Sequence, residues 1–267
     1  MKASGESSFK NKLTNLLNNT LTNSIYFFEE IGSTQEFANS LSIEESIHGT
    51  LIIACEQKRA KGRIGRTWIS PQGGLWMSII LRPDFDIDNV IFTQFIGSLA
   101  VSDAVRETTN ITCRLKWPND VLINGKKVCG ILVDVNLEGD IKKIVMGIGL
   151  NANMGSAQIN NFISSSTKAT SVKEEYGHEI DLAYLTKLIV EKIEYYYNNF
   201  LKVGKNAEIL NRWKRESDMF GKRAIIYDGV HKFAGEVVDL CYDGALLMKL
   251  DDSSSKKIIS YSDVTFH

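Results

Sequence analysis

The densest chemical signal in the chain is Gln57-Lys58-Arg59-Ala60-Lys61-Gly62-Arg63-Ile64-Gly65-Arg66-Thr67-Trp68, which interleaves five cations with two glycines and ends on a tryptophan. Guanidinium forks and exposed backbone N–H groups on such a loop suit phosphate or pyrophosphate, because Arg can grip two oxygens at once. A solvated run of surface charge is the alternative. The segment lacks the Gly-x-x-x-x-Gly-Lys-Ser/Thr pattern of a Walker loop. A second signal is Lys116-Trp117-Pro118-Asn119-Asp120. Pro118 bars helical geometry at Trp117 and fixes a turn, projecting Asn119 and Asp120 from the end of a strand. A carboxylate there suits Mg²⁺ bridging nucleotide phosphates, and an Asx turn opening the next strand is the other reading. Lys127 starts the strand after Asn124-Gly125, while Lys126 reads as a solvated turn residue. The third segment, Gly147-Ile148-Gly149-Leu150-Asn151-Ala152-Asn153, either admits a flat ligand against the backbone or marks a tightly packed strand.

Other chemistries are poorly supplied. Cys55, Cys113, Cys129 and Cys241 are scattered beside apolar runs with no Cys-x-x-Cys pair, so they read as buried, reduced thiols. The four histidines fall in polar, turn-like stretches and assemble no Ser/His/Asp grouping. With 31 Lys plus Arg against 32 Asp plus Glu, the net charge of −1 excludes a globally basic nucleic-acid coat. The polar opening has no signal-peptide core, and no run approaches the roughly 18 apolar residues of a membrane span. A cytoplasmic protein with no membrane and no nucleic-acid partner is expected.

The elements that must position these segments follow from pattern. Ile25 to Phe28 reads as a strand, and Ser33-Thr34-Gln35-Glu36 has the form of a capping box opening a helix that carries Phe37 and Leu41. Thr50 to Cys55 and Leu75 to Leu81 read as buried strands, and Asn89 to Glu107 as a helix packed on a sheet. Ile111 to Leu115 and Val121 to Ile123 are short strand-like runs, with Asn124-Gly125 a hairpin turn. Val128 to Val135 and Ile141 to Leu150 form a hairpin across Glu138-Gly139-Asp140, and a last helix runs from Leu182 to Phe200. Beyond Gly221, short strands separated by Asp228-Gly229, Asp243-Gly244 and Asp251-Asp252-Ser253 suggest a small β-barrel. The expected organisation is a polar leader over 1–24, an α+β catalytic domain over 25–220 and a barrel over 221–267.

Taken together, these segments resemble the biotin protein ligase family in motif order from about Phe28 onward. The matching pieces are Gly32 to Glu36, the basic loop through Trp68, Ser70-Pro71 with Gly74-Leu75-Trp76, Lys116 to Asp120, Lys127 to Ile131 and Gly147 to Asn151. The resemblance implies a catalytic domain related to class II aminoacyl-tRNA synthetases, with a mixed sheet and flanking helices, followed by an SH3-like barrel. It also implies ATP and Mg²⁺ as co-substrate and metal activator: biotin and MgATP give biotinyl-5′-AMP and pyrophosphate, and a lysine of a biotin carboxyl carrier domain then takes the biotin. By motif position, Ser33, Thr34, Gln35 and Gln57 match polar biotin contacts, joined by Lys61, Gly62 and the backbone of Gly130. Arg63 and Lys127 match the cations that meet reacting carboxylate and phosphate. Asp120 matches the metal-facing carboxylate and Trp68 the ring over adenine, with Arg66, Asn119 and Asn151 on the nucleotide side.

One departure stands out. Ala60-Lys61-Gly62-Arg63 occupies the place of the family's usual Gly-Arg-Gly-Arg, which removes glycine's freedom at residue 60 and a bidentate fork at residue 61. A leakier adenylate is the expectation. Competing readings are a lipoate protein ligase, disfavoured by Lys-Trp-Pro-Asn-Asp, a biotin-sensing repressor, for which the 25 or so residues before the first strand are too few, and a nonenzymatic polyanion-binding module. A homodimer formed by hairpin edges such as 128–150 is also expected.

Overall fold

The computed structural model describes residues 2–63, 65–83, 85, 87–138, 141–160, 168–203, 206–227, 231–251, 256–259 and 263–266. The polar opening is not a bare leader: helix α1 (Lys2–Leu16) seats Leu13 and then Leu17 in the main core. The three-to-four-residue spacing of Leu13, Leu16 and Leu17 was enough to dock one face. Strand β1 (Ser24–Ile31) follows, then α2 (Thr34–Ser40) and β2 (Thr50–Gln57), which lies parallel to β1. Strand β3 (Leu75–Leu81) pairs antiparallel with β2, and helix α3 (Val90–Thr109) crosses beneath the sheet.

Strands β4 (Arg114–Lys116), β5 (Asp120–Ile123), β6 (Lys126–Glu138) and β7 (Ile141–Leu150) complete a seven-stranded mixed sheet in the order β1-β2-β3-β7-β6-β5-β4. Positive φ at both Asn124 and Gly125 turns β5 into β6. The strand expected from Ile111 begins only at Arg114, and residues 139–140 of the expected turn lie outside the described residues. Short helices α4 (Ser156–Asn160) and α5 (Val172–Tyr176) precede α6 (Leu182–Val203). A further helix, α7 (Asn206–Glu216), follows where α6 was expected to be the last. Its apolar anchor is Trp213, fully buried against Phe95 with its Nε1 donating to Ser98 Oγ at 3.1 Å.

Period-2 alternation divides the sheet's residues between its two faces. Leu51, Ile53, Met77, Ile79, Ile131, Met146 and Ile148 join α3 and α6 in the main core. Because α3 lies within that core, it is buried along most of its length, with the small polar side chains of Thr93, Ser98 and Ser102 among the buried ones. The alternate residues belong to the opposite face, where Ile52, Ile80 and Val145 pack under α2 with Ala38 and Leu41. On that same parity fall Ser78, Gly130, Gly147 and Gly149, paired across the ladder as Ser78 with Gly147 and Gly130 with Gly149.

The C-terminal part is a five-stranded antiparallel sheet compatible with an SH3-like barrel: β8 (Arg223–Tyr227), β9 (Lys232–Leu240), β10 (Leu246–Leu250), β11 (Lys256–Ile259) and β12 (Asp263–Phe266), in the order β11-β10-β9-β8-β12. The last strand was missed at the sequence level. Residues 228–230, 252–255 and 260–262, which include parts of two expected turns, lie outside the described residues. The Asp243-Gly244 turn touches the main body, where Gly244 O accepts from Trp117 Nε1 at 3.0 Å.

Candidate active site

The glycine positions of β6 and β7 create the space for a site. A side chain at Gly149 would lie 2.5 Å from Trp68 Nε1, one at Gly130 3.3 Å from Trp68 Cζ3, and one at Gly147 2.5 Å from Gln35 Oε1. Trp68 therefore lies against two bare backbone positions, and Gln35 against a third. Above them opens a cavity of about 590 Å³.

Every residue to which the family resemblance gives a role lines this one cavity. Ser33, Thr34 and Gln35 enter from the start of α2, and Gln57 from the end of β2. Ala60, Lys61, Gly62, Arg63, Arg66 and Trp68 come from the basic loop; Asn119, Asp120, Lys127, Gly130 and Asn151 come from β5, β6, β7 and their connections. Sequence reasoning missed Ser78 and Lys168, which also line it. A single hydroxyl inside the otherwise apolar run Leu75-Trp76-Met77-Ser78-Ile79-Ile80-Leu81 was the signal for Ser78.

The floor is a buried, uncharged network. Gln57 Oε1 accepts from Thr34 N at 2.8 Å and from Thr34 Oγ1 at 3.0 Å, while Gln57 Nε2 donates to Ser70 Oγ at 3.0 Å. Thr34 Oγ1 is 2.9 Å from Ser78 Oγ, which donates to Gln35 Oε1 at 3.0 Å. Three oxygen-to-oxygen contacts thus share the hydrogens of two hydroxyls, so this cluster has room for one more donor. The capping box forms by half: Ser33 Oγ accepts from Glu36 N at 3.3 Å, but the Glu36 carboxylate turns to the basic loop instead of reaching back.

That loop is folded as a small hairpin. Gly62 N donates to Arg66 O and Trp68 N to Ala60 O, at 2.7 and 2.9 Å. Lys61 Nζ lies 2.7 Å from Glu36 Oε1, with Arg59 Nη2 3.9 Å from Oε2, and Lys61's hydrogen bond draws the Glu36 carboxyl below the usual range. Arg63 Nη1 donates to Asn119 Oδ1 at 3.2 Å. Ala60 is not among the residues with positive φ, so alanine there is free of the backbone penalty expected for it.

Opposite the loop, Lys127 Nζ sits 2.5 Å from Asp120 Oδ1 and 5.1 Å from the Trp68 ring centre, a distance at which an ammonium is attracted to the ring face. The ion pair is off the hydrogen-bonding direction, which leaves Asp120 Oδ1 buried without a directed bond. Lys127's backbone is clamped: its N–H donates to Lys168 O and its carbonyl accepts from Thr170 N, at 2.8 and 2.9 Å. Lys126 is no solvated bystander. Its Nζ lies 2.7 Å from Glu175 Oε1, and Glu175 also accepts from Asn124 Nδ2 and Thr170 Oγ1, both at 2.6 Å.

Two further buried polar atoms, Trp68 Nε1 and Asn151 Oδ1, have no hydrogen-bond partner among the described residues. An open donor and an open acceptor on two residues that line the cavity suit a heterocycle that carries both. Among the described residues, no His or Cys lines the cavity. Burial pushes the Cys113 thiol up to about 12 and raises Cys129 as well, so neither serves as a nucleophile. Among the described residues, no group of three or more His, Cys, Asp and Glu side chains is placed to hold a metal ion. One hard carboxylate, Asp120, suits a Mg²⁺ ion that takes most of its ligands from phosphates and water.

Residues 27–151 match the family described as the biotin/lipoate A/B protein ligase family. The chain is 32% identical over 237 residues to the bifunctional ligase/repressor BirA of Bacillus subtilis, covering 87% of this chain and 71% of that one. It is 28% identical over 233 residues to the biotin–[acetyl-CoA-carboxylase] ligase of Paracoccus denitrificans, covering 86% and 95%. Among solved structures, the biotin protein ligase from Aquifex aeolicus in complex with biotin and ATP superposes with a TM-score of 0.77 at 28% identity, covering 92% of this chain and 99% of that one. The chain belongs to the biotin/lipoate A/B protein ligase family, on its biotin protein ligase side.

Proposed function

We infer that this protein joins biotin to ATP as biotinyl-5′-AMP and passes the biotin to a lysine of a biotin carboxyl carrier domain. The observation that carries the reading is the convergence, in one cavity, of an uncharged floor short of a hydrogen-bond donor and a ring of cations. In the first step a biotin carboxylate oxygen attacks the α-phosphorus of ATP and pyrophosphate leaves. The reacting acid is its own nucleophile, so the protein's task is to hold two anions in line and offset their repulsion. Lys127 and Arg63 face that charge. Ser33, Thr34, Gln35 and Gln57 hold the ring of the acid, with Gly62 and Gly130 giving backbone approach and Lys61 beside them on the loop. Trp68, Arg66, Asn119 and Asn151 serve the nucleotide. Asp120 would hold Mg²⁺, which when bound supplies charge neutralisation at the phosphates. In the second step the carrier's lysine amine attacks the acyl carbon and AMP leaves.

The floor distinguishes biotin from lipoate. A ureido ring brings N–H donors to a cluster of oxygens that lacks one, whereas a dithiolane ring brings none. Pyrophosphate exchange with each acid tests this: turnover with biotin and none with lipoate is expected, and the reverse would overturn the reading. We further propose that residues 25–220 form the catalytic domain and 221–267 the barrel. Work in the cytoplasm and pairing of two copies along a hairpin edge complete the proposal; among the described residues, no helix is long and apolar enough to cross a membrane.

A further inference from the structure

Asp134, on β6, is absent from the residues lining the cavity, yet it touches one that does. Its Oδ2 accepts from Gln35 Nε2 at 3.1 Å and from Asn39 Nδ2 at 2.8 Å. Gln35 Nε2 spends its other N–H on Val145 O at 3.0 Å. With both amide hydrogens committed, Gln35 Oε1 must face Ser78 and Gly147. A carboxylate has no hydrogen to give. Rotating the carboxamide by half a turn would therefore set its oxygen against Asp134 Oδ2 and Val145 O together, two oxygen-to-oxygen contacts without a proton between them.

We propose that Asp134 is a positioning residue that sets the polarity of the ring-binding floor: by holding the Gln35 amide nitrogen away from the cavity, it keeps the floor an acceptor surface. The proposal rests on the reading that this floor takes the ureido ring of biotin. Helix α2 does not depend on Asp134 for its place. Asn136 Nδ2 donates to Asn39 Oδ1 at 2.7 Å, and Lys143 Nζ donates to Asn39 O and Leu41 O, both at 2.9 Å. Loss of the Asp134 acceptor thus releases the Gln35 carboxamide before it releases the helix.

The test compares Asp134→Leu with Asp134→Asn in the full-length protein, using pyrophosphate exchange with biotin and ATP varied in turn and calorimetric titration with biotin alone. An amide oxygen can accept both bonds, so the Asn variant should keep the biotin KM within about threefold of the parent, while Leu raises biotin KM and Kd by about tenfold or more. The KM for ATP and the kcat at saturating biotin should stay close to those of the parent in both. Equal biotin KM in the parent and the Leu variant would overturn the proposal. So would equal impairment of Leu and Asn, or a loss spread evenly over kcat and both KM values, which marks general damage. If Leu fails to fold, Asp134→Ser, too short to reach the amide, takes its place with the same outcomes. A parent protein that binds no biotin removes the functional reading and this proposal together; a biotin-binding parent indifferent to residue 134 removes the proposal alone.

Discussion

The floor and the basic loop face each other across one cavity and are built on opposite principles. Floor residues are buried and uncharged: Thr34 is 3% exposed, Gln35 6% and Ser78 0%. Loop cations remain in water, with the side chains of Arg59 and Lys61 77% and 65% exposed. Burying a charge is costly without a partner, so selection of a neutral ring falls to hydrogen bonds whose direction is fixed. Gripping oxyanions falls to cations that stay solvated until the oxyanions arrive. Under the proposed function this difference gives recognition to the floor and joining to the cations, and each assignment can be broken.

The largest effect is expected at Lys127, on the joining side. Lys127→Gln should lower the rate of adenylate formation by about a hundredfold or more, because one preorganised charge at a reacting phosphate is removed. Calorimetric biotin affinity should fall far less than the rate, since only the carboxylate end of the acid loses a partner; a large loss of biotin affinity with the rate intact would reverse the assignment. Gly147→Ala comes next, on the recognition side. Its methyl would sit 2.5 Å from Gln35 Oε1, and the displaced carboxamide has no second set of partners. Overpacking of this kind costs roughly 1–3 kcal/mol, so biotin KM should rise by about tenfold or more, read in the same exchange assay.

Gly149→Ala sharpens the comparison, because its methyl meets Trp68 Nε1 at 2.5 Å and not the floor. It should raise the KM for ATP by roughly the same energetic range but leave biotin affinity near the parent's. The smallest effect is expected at the loop's outer contact. Lys61→Arg and Glu36→Gln alter an exposed ion pair of the kind worth about 1 kcal/mol at most, so release of free biotinyl-AMP should change by about fivefold or less and the difference should fade with added salt. An unchanged release rate in Lys61→Arg would remove the expectation of a leakier adenylate, which Ala60's ordinary φ already weakens.

Much of the site was legible because its residues sit in short, chemically dense segments. The basic loop, Lys116 to Asp120 and Gly147 to Asn151 each announce unusual chemistry, and all three reach the cavity. The supporting residues were harder to see. Ser78 is one polar residue in an apolar strand, and Asp134 reads as the polar half of an alternating strand, with nothing local to connect it to Gln35, 99 residues away. Lys126 looked solvated because its partner Glu175 lies in a helix too short for periodicity to reveal. Helix α1 was hidden by its polar composition, since Leu13 and Leu17 matter only once a core exists to receive them.

From the sequence alone came most of the strands, the two longest helices, the hairpin turn at Asn124-Gly125 and the anion-gripping character of the basic loop, since these depend on residue type and near-neighbour spacing; the adenylation reaction and the biotin contacts came from the family resemblance. Tertiary structure alone decided which face of the sheet carries the glycines, how Trp68 lies on them, which way the Gln35 amide points and where Lys61 places its charge. Those outcomes depend on strand pairing and on hydrogen-bond partners distant in the chain, and a directional bond exists only after folding has brought donor and acceptor within reach.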